Sequence, residues 1–81
     1  MTSEEFNIKY EKYLEKGHYG CDLGNEKQIN YLNRVFRVLT KIPGFTYSQI
    51  KNKFGGYRFY CSNVISGESC DVIETRLKTL E

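Results

Sequence analysis

The sequence predicts a small α+β domain: two N-terminal helices, a β-hairpin and a C-terminal helix, in the order α-α-β-β-α. Three observations carry this. Apolar residues recur at helical spacing in three separate stretches. Two short segments flank Gly55-Gly56, the strongest hairpin signal in the chain. The chain has 81 residues, which amounts to one domain, residues 1–81, with a modest core. Assembly into a homo-oligomer would supplement so small a core.

The first predicted helix covers residues 3–16. Phe6, Tyr10, Tyr13 and Leu14 fall on one face of a 3.6-residue period. Thr2 with Glu5 fits a capping box, and Gly17 fits the stop. Residues 17–24, GHYGCDLG, read as a loop with three glycines. Asn25 suits the cap of a second helix, with Gln28 as its reciprocal partner. Ile29, Leu32, Val35, Phe36, Leu39 and Ile42 form its apolar stripe, which Tyr31 and Val38 widen. Its outer side carries Arg34, Arg37 and Lys41, and Pro43-Gly44 ends it. Residues 45–54 and 57–62 read as strands. Ser66 suits the cap of a last helix, with Cys70, Ile73, Leu77 and Leu80 facing inward.

Composition narrows the function classes. Hydrophobic residues make up 40% and charged residues 27%, which is globular rather than disordered. A net charge of +2 is too small for nonspecific nucleic-acid binding by the whole surface, so an anion site requires local clustering. Seven Tyr and five Phe offer amphipathic rings for core and contact surface alike. No apolar run approaches a membrane span, and the first ten residues do not read as a signal peptide. Cys21, Cys61 and Cys70 are an odd number with no CxxC, which fits a reducing cytoplasm better than a disulfide framework. No membrane partner and no cofactor are expected.

The clustering falls in KNKFGGYRFY, residues 51–60. With Gly55-Gly56 as the two loop residues, Phe54 faces Tyr57, Asn52 faces Phe59 and Ile50 faces Cys61 on one side. The other side pairs Lys53 with Arg58, Lys51 with Tyr60 and Gln49 with Ser62. Rings and aliphatics go one way and all three cations go the other. Opposed like charges cost up to about 1 kcal/mol unless something negative lies between them. A phosphate or carboxylate there converts repulsion into charge-assisted contacts. Tyr60 adds a hydroxyl and a flat face on which a base would stack. Lysines on exposed strands also serve simply to discourage edge-to-edge pairing, so a solvated outer face stands as the alternative.

The segment QIKNKFGGYRFY, residues 49–60, resembles the "QVKEKFGGLRFY" signature of short, uncharacterised proteins found in phages, prophages and bacteria. CDLGN, residues 21–25, is similar to the Cys-Gly-Asp-Gly-Trp-like segment that opens a helix in that family, without the aromatic and with altered spacing. Relatives often end in Cys-x-x-Cys-Gly, where this chain has Cys70 alone. The resemblance covers about residues 21–65 and implies a viral setting in the host-cell cytoplasm. Small phage proteins of this size are often counter-defence factors, by analogy rather than by any shared site.

The sequence offers other constellations. KFGGYRFY has aromatics at alternate positions like an RNA-recognition strand, but its glycines and the α-α-β-β-α order do not match that fold. His18, Cys21, Cys61 and Cys70 would make a Cys₃His zinc site only with loose spacing. HYGCD places His18, Cys21 and Asp22 close in sequence without orienting them for catalysis. Arg34, Arg37 and Lys41 form a helix stripe that would join the hairpin in one positive trough, roofed by loop 17–24 with Tyr19 as a stacking ring.

The expectation is a non-enzymatic binding protein that sequesters an anionic small molecule, a nucleotide immune signal. Lys51, Lys53 and Arg58 clamp its phosphates, Tyr60 and Tyr19 stack its base, and Arg34 and Arg37 flank it. The alternatives are a protein–protein inhibitor of a host defence complex, such as an anti-CRISPR-type factor, and a single-stranded RNA- or DNA-binding protein.

Overall fold

A computed structural model describes residues 1–81. The chain forms α1 (Ser3–Lys9), a 3-10 turn (Glu11–Tyr13), β1 (Gly20–Asp22), α2 (Glu26–Leu39), β2 (Tyr47–Lys53), β3 (Gly56–Cys61) and α3 (Gly67–Thr79). The class is α+β as expected. The order differs by one element, because residues 20–22 of the expected loop form a strand. The sheet runs β1-β2-β3, with β1 parallel and β3 antiparallel to β2. A parallel neighbour requires a crossover, and α2 supplies it between β1 and β2.

The first helix is half its expected length. The Thr2–Glu5 capping box is present, yet the α-helix ends at Lys9. Leu14 turns extended and bridges to Tyr47, and the Glu15 amide donates to the Tyr47 carbonyl at 2.8 Å. Pairing with the sheet outcompetes another helical turn, because it still buries Tyr13 and Leu14 partly against the core.

β1 is short, and side chains from α1 complete its outer edge. Asn7 Nδ2 donates to the Cys21 carbonyl at 2.9 Å, and its Oδ1 accepts from the Cys21 amide at 2.8 Å. One helical turn earlier, Ser3 Oγ accepts from the Leu23 amide and donates to the Leu23 carbonyl. Two side chains thus stand in for a fourth strand. Gly20 is required there twice over: its φ is +77°, and a Cβ would lie 2.5 Å from Asn7 Oδ1.

Asn25 caps α2 by accepting from the Lys27 and Gln28 amides. Gln28 does not reach back as a capping partner. It is 2% exposed and donates through Nε2 to Tyr57 Oη and the Leu77 carbonyl, each at 2.8 Å. One amide thereby ties α2, β3 and α3 together. Val38 also departs from expectation and faces solvent. The core centres on Phe36, whose ring centroid lies 4.8–5.3 Å from those of Phe6, Tyr10, Phe45 and Tyr47 at steep interplanar angles. Edge-on pairs of this kind add about 0.5–1.5 kcal/mol each beyond burial.

The hairpin forms in a different register from the expected one. Lys53 pairs with Gly56, Asn52 with Tyr57, Lys51 with Arg58, Ile50 with Phe59 and Gln49 with Tyr60. Phe54 and Gly55, rather than Gly55 and Gly56, are the loop residues, with φ of +53° and +78°. Two positive φ values match the twist-compatible hairpin turn. An irregularity between Tyr47 and Gln49 lets Tyr47 pair with Cys61. The observed register sets buried Ile50 beside buried Phe59, where the expected one set Asn52 beside Phe59. Each partner moved by two residues, so the two ladder faces kept their residues, while Phe54 left the expected inner face for the loop and Asn52 is exposed.

Ser66 caps α3, and Ile73 and Leu77 are its buried residues, with Cys70 and Leu80 half-buried. Glu74 accepts from the Phe59 amide at 2.8 Å and so occupies one donor of the β3 edge. No helix is long and apolar enough to cross a membrane.

Candidate functional site

All helices sit against one face of the sheet, where Cys21, Tyr47, Ile50, Tyr57 and Phe59 are buried. The other face carries Gln49, Lys51, Lys53, Arg58 and Tyr60, as the parity of the hairpin requires. β1 extends this face. Asp22 pairs with Lys51, which pairs with Arg58, so one row across the sheet reads Asp22–Lys51–Arg58. Tyr60 is 46% exposed, in the next row with Gln49.

None of Lys51, Lys53 and Arg58 makes an ion pair; the chain's two salt bridges are Met1–Glu26 and Lys78–Glu81. Asp22 stands beside Lys51 in register without closing to bonding distance. The clamp expected between Lys53 and Arg58 is instead a Lys51–Arg58 pair. The heads of Lys53 and Arg58 turn toward the loop. Arg58 Nη1 donates to the Tyr57 carbonyl at 3.2 Å, and a Cβ on Gly56 would lie 3.2 Å from the same nitrogen. Lys53 Nζ stands 5.8 Å from the Phe54 ring centroid. Lys78 reaches the same place from α3 and donates to the Gly55 carbonyl at 3.2 Å.

Phe54 occupies the centre of this arrangement. It is 98% exposed, the most exposed large apolar residue in the chain. It also holds the left-handed backbone conformation, at φ +53°, which the other positive-φ residues leave to glycine. The strain costs about 1–2 kcal/mol and returns no burial. The loop therefore presents an exposed aromatic ring with Lys53 beside it, while Arg58 and Lys78 are held at the neighbouring backbone, Lys78 also paired with Glu81. Phe54, expected on the inner face opposite Tyr57, lies instead in the loop, because Phe-Gly and Gly-Gly loops compete in KFGG; Lys78 was not expected here because its approach depends on where α3 docks.

Other expected site residues lie elsewhere. Arg34 and Arg37 are exposed on α2, whose Phe36 packs toward Phe59 on the inner sheet face. They lie in the helical layer, opposite the cation face, so the single positive trough does not form. Tyr19 is 82% exposed just before β1, on the far side of β2 from Tyr60, and residues 20–22 are sheet rather than a roof. Asn52 faces solvent at the loop end.

The zinc arrangement is not assembled: no three His, Cys, Asp or Glu side chains come close enough to hold a metal ion. Cys21 is buried with its sulfur 3.3 Å from Ser3 Oγ, and burial pushes its thiol pKa up. That is poor chemistry for a nucleophile, which needs thiolate. Two surface depressions exist, one along α3 around Val72 and Arg76, the other around Met1, Leu23 and Glu26. Neither adjoins the hairpin cations. The chain was compared with family models, curated proteins and solved structures, and matches none of them.

Proposed function

We propose that the chain is a non-enzymatic binding protein that inserts its hairpin loop into an acidic-rimmed apolar pocket of a partner protein. The observation that carries this is Phe54: a fully exposed ring held at a strained backbone position, with Lys53 beside it and Arg58 and Lys78 held at the loop backbone. Burying one phenylalanine yields about 1.5–3 kcal/mol, and aromatic and arginine side chains dominate binding energy at interfaces. The cations would set orientation and association rate by pairing with carboxylates at the pocket rim. The resemblance of residues 49–60 to a phage family supports a host defence complex as the source of that partner and counter-defence as the role. The experiment is affinity capture from host lysate with wild type and Phe54→Asn side by side. Wild type should retain an acidic polypeptide whose capture rising salt weakens without abolishing, and Phe54→Asn should lose it. Equal retention by both proteins overturns the reading.

Sequestration of a nucleotide signal is the second reading, favoured by the three cations of the sheet face that lack any ion-pair partner. It predicts an ultraviolet-absorbing compound in the supernatant after the purified protein is denatured, and no dependence on Phe54.

A further inference from the structure

Cys61 ends β3 and Cys70 lies in the first turns of α3, with their sulfurs 3.5 Å apart. Both are half-buried and therefore reachable by a small reagent. Cys21 is buried and hydrogen-bonded to Ser3, with neither of the other thiols in contact. A disulfide bond is about 2.0 Å long, so the pair needs to close by roughly 1.5 Å. The connecting segment, residues 62–66, includes exposed Asn63 and Val64 and can absorb that shift. We propose that Cys61 and Cys70 are a site of reversible intramolecular disulfide formation by exchange with a low-molecular-weight disulfide.

The exchange balances in two steps. One of the two cysteines, as thiolate, attacks one sulfur of the reagent, forming a mixed disulfide and expelling one thiolate. The other then gives up its proton and attacks the protein sulfur of that mixed disulfide, expelling the second thiolate. The protein loses two electrons and two protons, and the reagent is reduced to two thiols. Burial and the adjacent thiol hold Cys61 protonated, with its pKa pushed up to about 12. The closing attack is driven by the proximity of the two sulfurs rather than by acidity.

The bond would fasten the start of α3 to the end of β3. The other end of α3 already holds the hairpin, through Glu74 on the Phe59 amide and Lys78 on the Gly55 carbonyl. Oxidation therefore staples the support of the loop without touching the loop itself, and the inference stands whether or not Phe54 meets a partner.

The test uses the full chain with oxidised glutathione, followed by unfolding, a maleimide quench and intact-mass measurement. The expected product has lost two hydrogens and carries one maleimide, at Cys21. Cleavage at Arg58, Glu68 and Arg76 should leave the Cys61 and Cys70 peptides joined until a reductant is added. The oxidised protein should also show a higher urea midpoint. Cys61→Ser should stop at a glutathione adduct on Cys70, and, should that variant fail to fold, Cys70→Ser should yield no internal bond. Three maleimides on the treated wild type, a persistent glutathione adduct on it, or a bridge through Cys21 would each overturn the proposal.

Discussion

Replacing Phe54 with Asn separates what the loop does for the fold from what it does for a partner. The wild-type residue sits at φ +53° with its side chain 98% exposed. An L-residue without a short polar side chain pays about 1–2 kcal/mol for that conformation. Asparagine occupies it readily, and Asn-Gly is the preferred pair for a turn with two positive φ values. The substitution removes no buried surface. It does remove the attraction of Lys53 to the ring, worth about 0.5 kcal/mol at an exposed site. The net expectation is stabilisation by about 0.5–1.5 kcal/mol. For a domain this size that raises the melting midpoint by about 2–12 °C. Urea and thermal unfolding of wild type, Phe54→Asn and Phe54→Gly measure it, with glycine gaining less because its unfolded chain is more flexible. A lower midpoint in Phe54→Asn would refute the strain argument, since it would mean the ring is packed. Stabilisation together with loss of the captured partner is the signature of a residue kept for binding at the expense of the fold.

Three further outcomes follow from the same geometry. Gly20→Ala should destabilise by about 2–4 kcal/mol in urea unfolding, because it adds left-handed strain and drives Asn7 off the Cys21 backbone. Gln28→Leu should cost about 1–3 kcal/mol, by leaving the buried Leu77 carbonyl without the Gln28 donor and Tyr57 without its link to α2; a neutral result would mean that packing alone holds the three elements. Stability should fall in alkali. Burial raises the Cys21 thiol and pushes the Tyr47 phenol and Cys61 thiol up to about 12, so the unfolded chain releases these protons first. Their contribution is complete below the ordinary thiol value of 9.0 and is lost as pH climbs toward about 12; urea midpoints across that range, with tyrosinate absorbance alongside, would show a flat profile if the reasoning fails.

Periodicity exposed α2 and α3 because both present apolar stripes long enough to average over local exceptions, and caps Asn25 and Ser66 act within a few residues of themselves. The inner face of the hairpin was legible for a subtler reason. Moving the loop from Gly55-Gly56 to Phe54-Gly55 shifts each partner by two residues, and a two-residue shift conserves which face a side chain takes. The cation face therefore survived an incorrect register. β1 was hidden because its edge partners are Ser3 and Asn7, side chains of a helix 14 and 20 residues upstream of the Cys21 and Leu23 backbone groups they bond, and no local pattern announces them. Gln28 misled for a related reason. Its spacing from Asn25 fits a capping box, but a buried amide that satisfies two elements at once outweighs one exposed capping bond.

The occupied edge groups also bear on how a partner is recognised. An exposed strand edge is the usual invitation to strand addition, where main-chain hydrogen bonds supply affinity. Here Asn7 and Ser3 occupy the β1 edge, and Glu74 occupies the Phe59 amide on the β3 edge. Strand addition on either side would first have to displace these bonds. Recognition is left to side chains, and on the hairpin those not engaged in the fold include Phe54 at the loop and Lys51, Lys53 and Tyr60 on the open face. Their chemistry is apolar at the point and cationic around it. A partner that meets both must be apolar in its pocket and acidic at its rim, so raising salt should weaken capture without abolishing it, whereas Phe54→Asn should abolish it even at low salt. Complete loss at moderate salt, with the Phe54 variant binding normally, would assign the whole interaction to the sheet face and leave the ring without a role.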